Sequence, residues 1–256
     1  MANYENQPRY GTTVASGAEA VDAGLRAHML RVYNYMAGAL VITGLVAWFA
    51  FQAAGGYDIA VTSQGITGLT SFGATLFNPV AQLVLFFATL GIVGFISFRI
   101  SRLDVGTALT LFLAYAALLG LLLSTIFLAY TATSVSRVFF ISAATFGTMS
   151  LWGYTTKRDL TGMGSFLFMG LIGIVIASLV SLFWHSTALQ FAISVIGVLV
   201  FTGLTAYDTQ KIKELYYVGD DGSVAGRKAV MGALSLYLDF INLFLMLLRL
   251  FGSNRN

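Results

Sequence analysis

Two aspartates stand out among the few groups in this sequence that could do chemistry. Asp239 lies inside the apolar run Ala229 to Leu248, and Asp208 closes another, in Tyr207-Asp208-Thr209-Gln210-Lys211-Ile212-Lys213. An ionisable side chain at the centre of an apolar helix costs roughly 2.5 to 3.5 kcal/mol on insertion scales, so it needs a reason to be there. Asp239 is the eleventh residue of its run, about 15 Å from the nearer end at 1.5 Å per residue. Ser235, Asp239 and Asn242 fall at i, i+4 and i+7, with Gly232 one turn earlier. That makes one polar stripe on a Leu/Phe helix, and it must face a bundle interior or a wet cavity. Asp208 can sit a turn inside the interface, because Lys211 and Lys213 can snorkel and let the helix continue. Thr202, Thr205 and Thr209 share a face there and could line the same cavity. Each acid also has a plainer reading: Asp239 as a protonated, hydrogen-bonded packing residue, Asp208 as a solvated charge paired with a lysine.

Two carboxylates on consecutive spans allow three chemistries. Within hydrogen-bond distance they cannot easily both ionise, so they share a proton and titrate jointly, as a proton switch. Kept ionised, they are hard oxygen ligands suited to a transient Ca²⁺. Activating a water between them would make an intramembrane aspartyl protease. Those enzymes also carry a Tyr-Asp pair, but their second motif is Gly-x-Gly-Asp, where this sequence has Tyr237-Leu238-Asp239. Other chemistries lack their groups. There is no Cys for a thiol nucleophile, disulfide or Cys-bound metal. His28 and His185 lie outside or at the edges of the apolar runs, with no His-Glu-x-x-His and no Ser/His pair within a span. No span holds a lysine for a retinal Schiff base. The expectation is a protein that is not an enzyme and carries no cofactor.

The elements that position these acids follow from composition. Of 256 residues, 57% are hydrophobic and 10% charged, against about a quarter charged in ordinary globular chains. Crossing roughly 30 Å of hydrocarbon takes about 20 apolar helical residues. Seven runs qualify: Val32 to Ala53, Pro79 to Phe98, Val105 to Ala129, Val138 to Tyr154, Met163 to Phe183, Ala188 to Tyr207 and Ala229 to Leu248. The reading is an all-α integral membrane protein of seven transmembrane helices, residues 25–252. A polar, loosely ordered tail (1–24) precedes them and a short C-terminus (253–256) follows. Eleven of the 14 Lys and Arg fall on one side of the spans, the other three being Arg137, Arg249 and Arg255. That bias puts the N-terminus in the cytoplasm and the C-terminus outside. The net charge of +3 is spent on topology, and no nucleic-acid partner is expected. The Gly/Ser/Thr-rich stretch Ala54 to Asn78 reads as an external loop with a short turn near Ile66, Leu69 and Phe72. Small residues at close spacing, Gly38 with Gly44, Gly91 with Gly94, and Gly170 with Gly173 and Ala177, read as helix-packing faces.

Three runs in order carry a resemblance: Gly153-Tyr154-Thr155-Thr156-Lys157-Arg158-Asp159-Leu160-Thr161 with Met163-Gly164-Ser165-Phe166-Leu167; Gly203-Leu204-Thr205-Ala206-Tyr207-Asp208-Thr209-Gln210-Lys211-Ile212; and Leu236-Tyr237-Leu238-Asp239-Phe240-Ile241-Asn242-Leu243-Phe244. They resemble the Bax inhibitor-1 family, in its bacterial branch, over Arg26 to Gly252. The resemblance implies six helices around a central seventh in a bacterial inner membrane, and a pH-sensitive calcium leak. It casts Asp208 and Asp239 as the proton-sensing pair, with Thr205, Ser235 and Asn242 as polar pore lining. It also implies a second-span arginine that engages an acid, for which Arg99 is the nearest candidate and Arg102 the next. A second reading from the same resemblance is an interaction protein that modulates a membrane-bound ATP-dependent protease, engaged through the tail Met1 to Gly24. Hydropathy alone separates the two aspartates by up to about 15 Å in depth. The latch requires that they nevertheless meet.

Overall fold

The computed structural model describes residues 10–62, 65–184 and 186–255. Along the chain it forms α1 (Tyr10–Ala53), β1 (Ala60–Thr62), β2 (Gly65–Thr67), α2 (Ser71–Leu76), α3 (Pro79–Arg99), α4 (Val105–Leu123), α5 (Ile126–Ala129), α6 (Ala132–Thr155), α7 (Thr161–Phe183), α8 (Thr187–Glu214) and α9 (Gly222–Phe251). Most starts are written in the local sequence. Asn78, Asp104, Thr131 and Ser186 accept a hydrogen bond from a first-turn N–H of α3, α4, α6 and α8, and Asp221 does the same at α9. Side-chain acceptors of this kind satisfy amides that a helix leaves unpaired. Pro79 stands in the first turn of α3, where its missing N–H costs nothing.

Among the described residues, six helical segments are long and apolar enough to cross a membrane: Asp22–Ala53, Pro79–Arg102, Val105–Ala129, Thr161–Ser181, Thr187–Glu214 and Gly222–Phe251. The remaining long helix, α6, has 24 residues but carries Thr133, Ser134, Ser136, Arg137, Ser142 and Ser150. Composition therefore supports six crossings, and the seventh is taken up below. In the final segment, 72% of the most apolar window is buried within the protein, against 11% to 39% in the other five. The helix α9 is the central element, as expected, and its neighbours shield it from lipid.

The connections gather at two ends. At one, the Arg255 guanidinium donates to the carbonyls of Phe127, Tyr57 and Ile59, and the Arg255 N–H donates to Ala129. Ser253 N–H donates to the Ser134 hydroxyl. The residues after α9 are thus stitched onto the Ala54 to Asn78 loop and the α5–α6 corner. That loop is structured, holding the β1–β2 hairpin, with Ala60 opposite Thr67, and α2. Gly68 turns with φ +77°, where a Cβ would strike the Asp58 backbone. At the other end, Arg227 reaches the Leu103 carbonyl, and Gln210 holds the α6–α7 corner by donating to Arg158 O and accepting from Leu160 N–H.

Two expectations change. The tail read as loosely ordered over 1–24 is helical from Tyr10, consistent with the helix-favouring alanines at 15, 18, 20 and 23; residues 1–9 lie outside the described residues. Of the small residues expected to form packing faces, Gly170 does so, against Val200, but most of the others do not. A Cβ added at Gly38, Gly44, Gly91, Gly94 or Gly173 would meet nothing within 4 Å. Close approach is made instead by Gly153 against the Ala206 backbone, Gly120 against the Thr43 carbonyl, Gly197 against Met246 and Gly232 against Ile212. Spacing alone did not reveal which side of each helix faces protein.

Gly153→Ala places a methyl against the Ala206 carbonyl and should destabilise the protein by about 1–3 kcal/mol through overpacking. Gly91→Ala, into open space within α3, should hold or raise stability, by up to about 1 kcal/mol of helix propensity. Melting in detergent reads both, and equal Tm values would refute the α6–α8 contact. At the start of α9, the Val224 N–H and the Ser223 hydroxyl hold the Asp221 carboxyl below the usual carboxylate range. Because the folded carboxyl ionises more readily, its contribution is present above the unfolded value near about 3.9 and fades as pH falls through the lower folded value. Asp221→Ala should therefore lower Tm at neutral pH, with the gap closing in acid.

Candidate functional site

The central helix is held in one rotation by a tyrosine on its far side. The Tyr237 hydroxyl donates to the Thr43 hydroxyl at 2.6 Å, which in turn donates to the carbonyl of Ala116 at 2.9 Å or Ala39 at 3.0 Å. The Tyr237 ring stands edge-on to Phe112 and Tyr115 of α4, at 5.5 and 5.7 Å. Residues two apart on a helix point about 200° from one another, given 3.6 residues per turn. Anchoring Tyr237 to α1 and α4 therefore aims Asp239 the other way, at α7 and α8.

There it meets Asp208. The two carboxylates line one cavity of about 660 Å³ between α7, α8 and α9, with Gly164, Ser165 and Phe168 on the opposite wall and Ser235 and Asn242 beside Asp239. A second cavity of about 470 Å³ lies toward the Lys/Arg-rich end, and Asp208, Lys211 and Ser235 line both. Asp208 thus stands where the two spaces adjoin. It is half-buried, whereas Asp239 is 6% exposed.

Their depths are set by close packing. Gly232 lies against Ile212, and Gly197 against Met246. Two antiparallel helices in that register place Asp208 level with Ser235 and Leu236, and Asp239 level with Leu204 and Thr205. The offset between the acids is then three to four residues, about 5 Å at 1.5 Å per residue. The larger separation read from hydropathy is removed because the apolar runs stop short of the helices. The helix α8 continues to Glu214, and α9 begins at Gly222. The two carboxyl groups share the cavity without a direct hydrogen bond, and Asp239 Oδ2 is buried with no partner. Asp208 forms no ion pair, the only one among the described residues being Lys228–Asp220. Lys211 lies 5.9 Å over the Tyr207 ring.

Ser235 and Asn242 line the acid cavity, while Thr205, Arg99 and Arg102 do not. Thr205 is fully buried and donates to the Phe201 carbonyl. It lies three residues before Asp208, about 60° around the helix, whereas Leu204 and Phe201, at i−4 and i−7, form the cavity wall. Thr209 also points away, in a hydroxyl chain where Tyr33 donates to Ser150 at 2.7 Å and Ser150 to Thr209 at 2.9 Å. Arg99 ends α3 and Arg102 ends the following turn; both are exposed. The wall between them is Ile100 and Ser101, and the cations lining the second cavity are Lys211, Arg227 and Lys228. Among the described residues no three His, Asp or Glu side chains converge as a metal site. Three contributors were missed from sequence: Gln210, Tyr237 and the Gly164–Ser165 wall. A tyrosine at mid-span needs a hydrogen-bond partner, and that requirement could have marked Tyr237. The partner, 194 residues away, is not visible in a local pattern.

Residues 25–256 match the protein-family model described as "Inhibitor of apoptosis-promoting Bax1". Inner membrane protein YbhL of Escherichia coli K12 is 47% identical over 235 residues, covering 91% of this chain and 94% of that one. An uncharacterized protein of Rickettsia prowazekii is 46% identical over 244 residues, covering 95% and 97%. An uncharacterized protein of Caulobacter vibrioides is 44% identical over 239 residues, covering 92% of each chain.

The chain has no Cys, so single cysteines report the cavity cleanly. Ser235→Cys should react with a small water-soluble thiol reagent at least about tenfold faster than Thr205→Cys, since only a solvated thiolate is nucleophilic. Equal rates would refute the placement of Thr205 outside the cavity.

Proposed function

The chain belongs to the Bax inhibitor family, and from that premise we propose that it is a cation leak whose opening is set by protons on the Asp208 and Asp239 pair, with Ca²⁺ as the cargo. The observation that carries this reading is the buried, partnerless Asp239 Oδ2 in a cavity shared with Asp208. A buried acceptor left unmade costs about 1–3 kcal/mol. A packing role would have satisfied it, as Tyr237 is satisfied on the opposite face. With one proton between them, a small rotation lets the carboxyls bridge α8 and α9. With none, two like charges repel in a medium that screens poorly, and the helices part. The unprotonated pair also offers hard oxygens to a passing divalent cation.

The path proposed runs from the Lys/Arg-rich end through the cavity at Arg227 and Lys228, past Asp208, to Asp239. In this reading α6 is the seventh crossing, since its two ends lie at the two ends of the bundle through Ser134 and Tyr154. The Lys/Arg-rich end faces the cytoplasm and the C-terminus lies outside. This reading asks no covalent chemistry of the protein. The proton-sensing role belongs to the two aspartates alone, without Arg99 or Arg102.

Calcium flux into proteoliposomes, followed across the acid-to-neutral range, tests the reading. The wild type should leak faster as pH rises. Asp208→Asn and Asp239→Asn, each fixing a neutral side chain, should leak slowly at every pH. Wild-type flux and an unchanged pH profile in both variants would overturn it.

A further inference from the structure

A crevice between α1 and α6 is used by none of the above. It has a volume of about 780 Å³ and is walled on α1 by Leu30, Tyr33, Ala37 and Leu40, and on α6 by Gly147 and Leu151. The two helices are bridged there by the Tyr33 to Ser150 hydrogen bond at 2.7 Å. Gly147 faces space: a Cβ on it would touch nothing within 4 Å. The α1 wall repeats every three or four residues and begins with Arg26. From Arg26 to Leu40 is about 21 Å at 1.5 Å per residue, against about 15 Å for half of a 30 Å hydrocarbon core. The crevice therefore runs from headgroup level to just past the midplane, the reach of one leaflet's acyl chain.

Its polar end is cationic. Arg26 is exposed and in no ion pair; Asp22, one turn earlier, does not reach it. Lys213 is held at the same end by the Tyr154 carbonyl at 2.8 Å, with its ammonium 5.4 Å over the Tyr154 ring. A free cation, Arg26, at the mouth of an apolar slot of leaflet depth matches an amphiphile with an acidic head. We propose that this crevice is a binding site for an anionic glycerophospholipid, drawn from the leaflet at the Lys/Arg-rich end, with its phosphate at Arg26 and one acyl chain along Gly147.

Native mass spectrometry of the detergent-purified protein, titrated with phosphatidylglycerol or phosphatidylcholine, tests this. The wild type should retain one tightly bound lipid and prefer phosphatidylglycerol about fivefold, the factor one surface cation supplies. Arg26→Gln should keep the lipid and lose the preference. Gly147→Phe, whose Cβ meets nothing within 4 Å and whose ring would enter the slot, should lose the bound lipid of either class while the melting temperature holds. Equal retention of the two lipids by the wild type would overturn the assignment. So would wild-type lipid stoichiometry in Gly147→Phe, or displacement of phosphatidylglycerol by an equal concentration of palmitate, which would make the occupant a free fatty acid.

Discussion

A carboxylate carried into the middle of an apolar bundle constrains everything around it. Asp239 cannot face lipid, so α9 must be surrounded, and 72% of its most apolar window is buried accordingly. A central helix must also be fixed in rotation, or its one acid would have no defined surroundings. Tyr237 supplies that fix from the opposite face, through Thr43 on α1 and the two rings on α4. The hydroxyl chain, the aromatic contacts and the cavity are consequences of one residue that is costly to bury.

The second constraint is closeness. Without a hydrophobic drive between helices in lipid, registry comes from backbone approach. At Gly232 against Ile212 and Gly197 against Met246, α8 and α9 are clamped at two levels, with the acids between them. A two-point clamp holds the two carboxyls at a fixed offset along the helix axes. The C-terminal end of the bundle is held separately by Arg255 on three carbonyls and on the rings of Phe51 and Tyr57. The α8–α9 clamp works against that rigid rim.

Much of this was legible in the chain. Apolar run length marked the spanning helices, and the i, i+4, i+7 spacing of Ser235, Asp239 and Asn242 marked the wet face of α9. What hydropathy could not show is where helices end. It reports transfer to lipid, whereas α8 and α9 run on as polar helix to Glu214 and from Gly222, which moved the acids to nearly one depth. Glycine spacing misled for a related reason: it identifies a smooth face but not what lies against it, and five of the glycines singled out face open space. Thr205 failed by about 60° of helix rotation, within the uncertainty of a face assigned from three threonines. Arg99 and Arg102 rested on resemblance alone, and the turn at Ile100 to Arg102 carries them outward.

The central claim is that Asp208 and Asp239 titrate as one pair. Infrared titration of the carboxyl C=O stretch in bilayers reads this directly, with Asp208→Asn as the comparison. The account predicts that the Asp239 band shifts its midpoint by about one pH unit or more when Asp208 is neutralised, the threshold at which two sites count as coupled. An Asp239 band with the same midpoint in both proteins would contradict it.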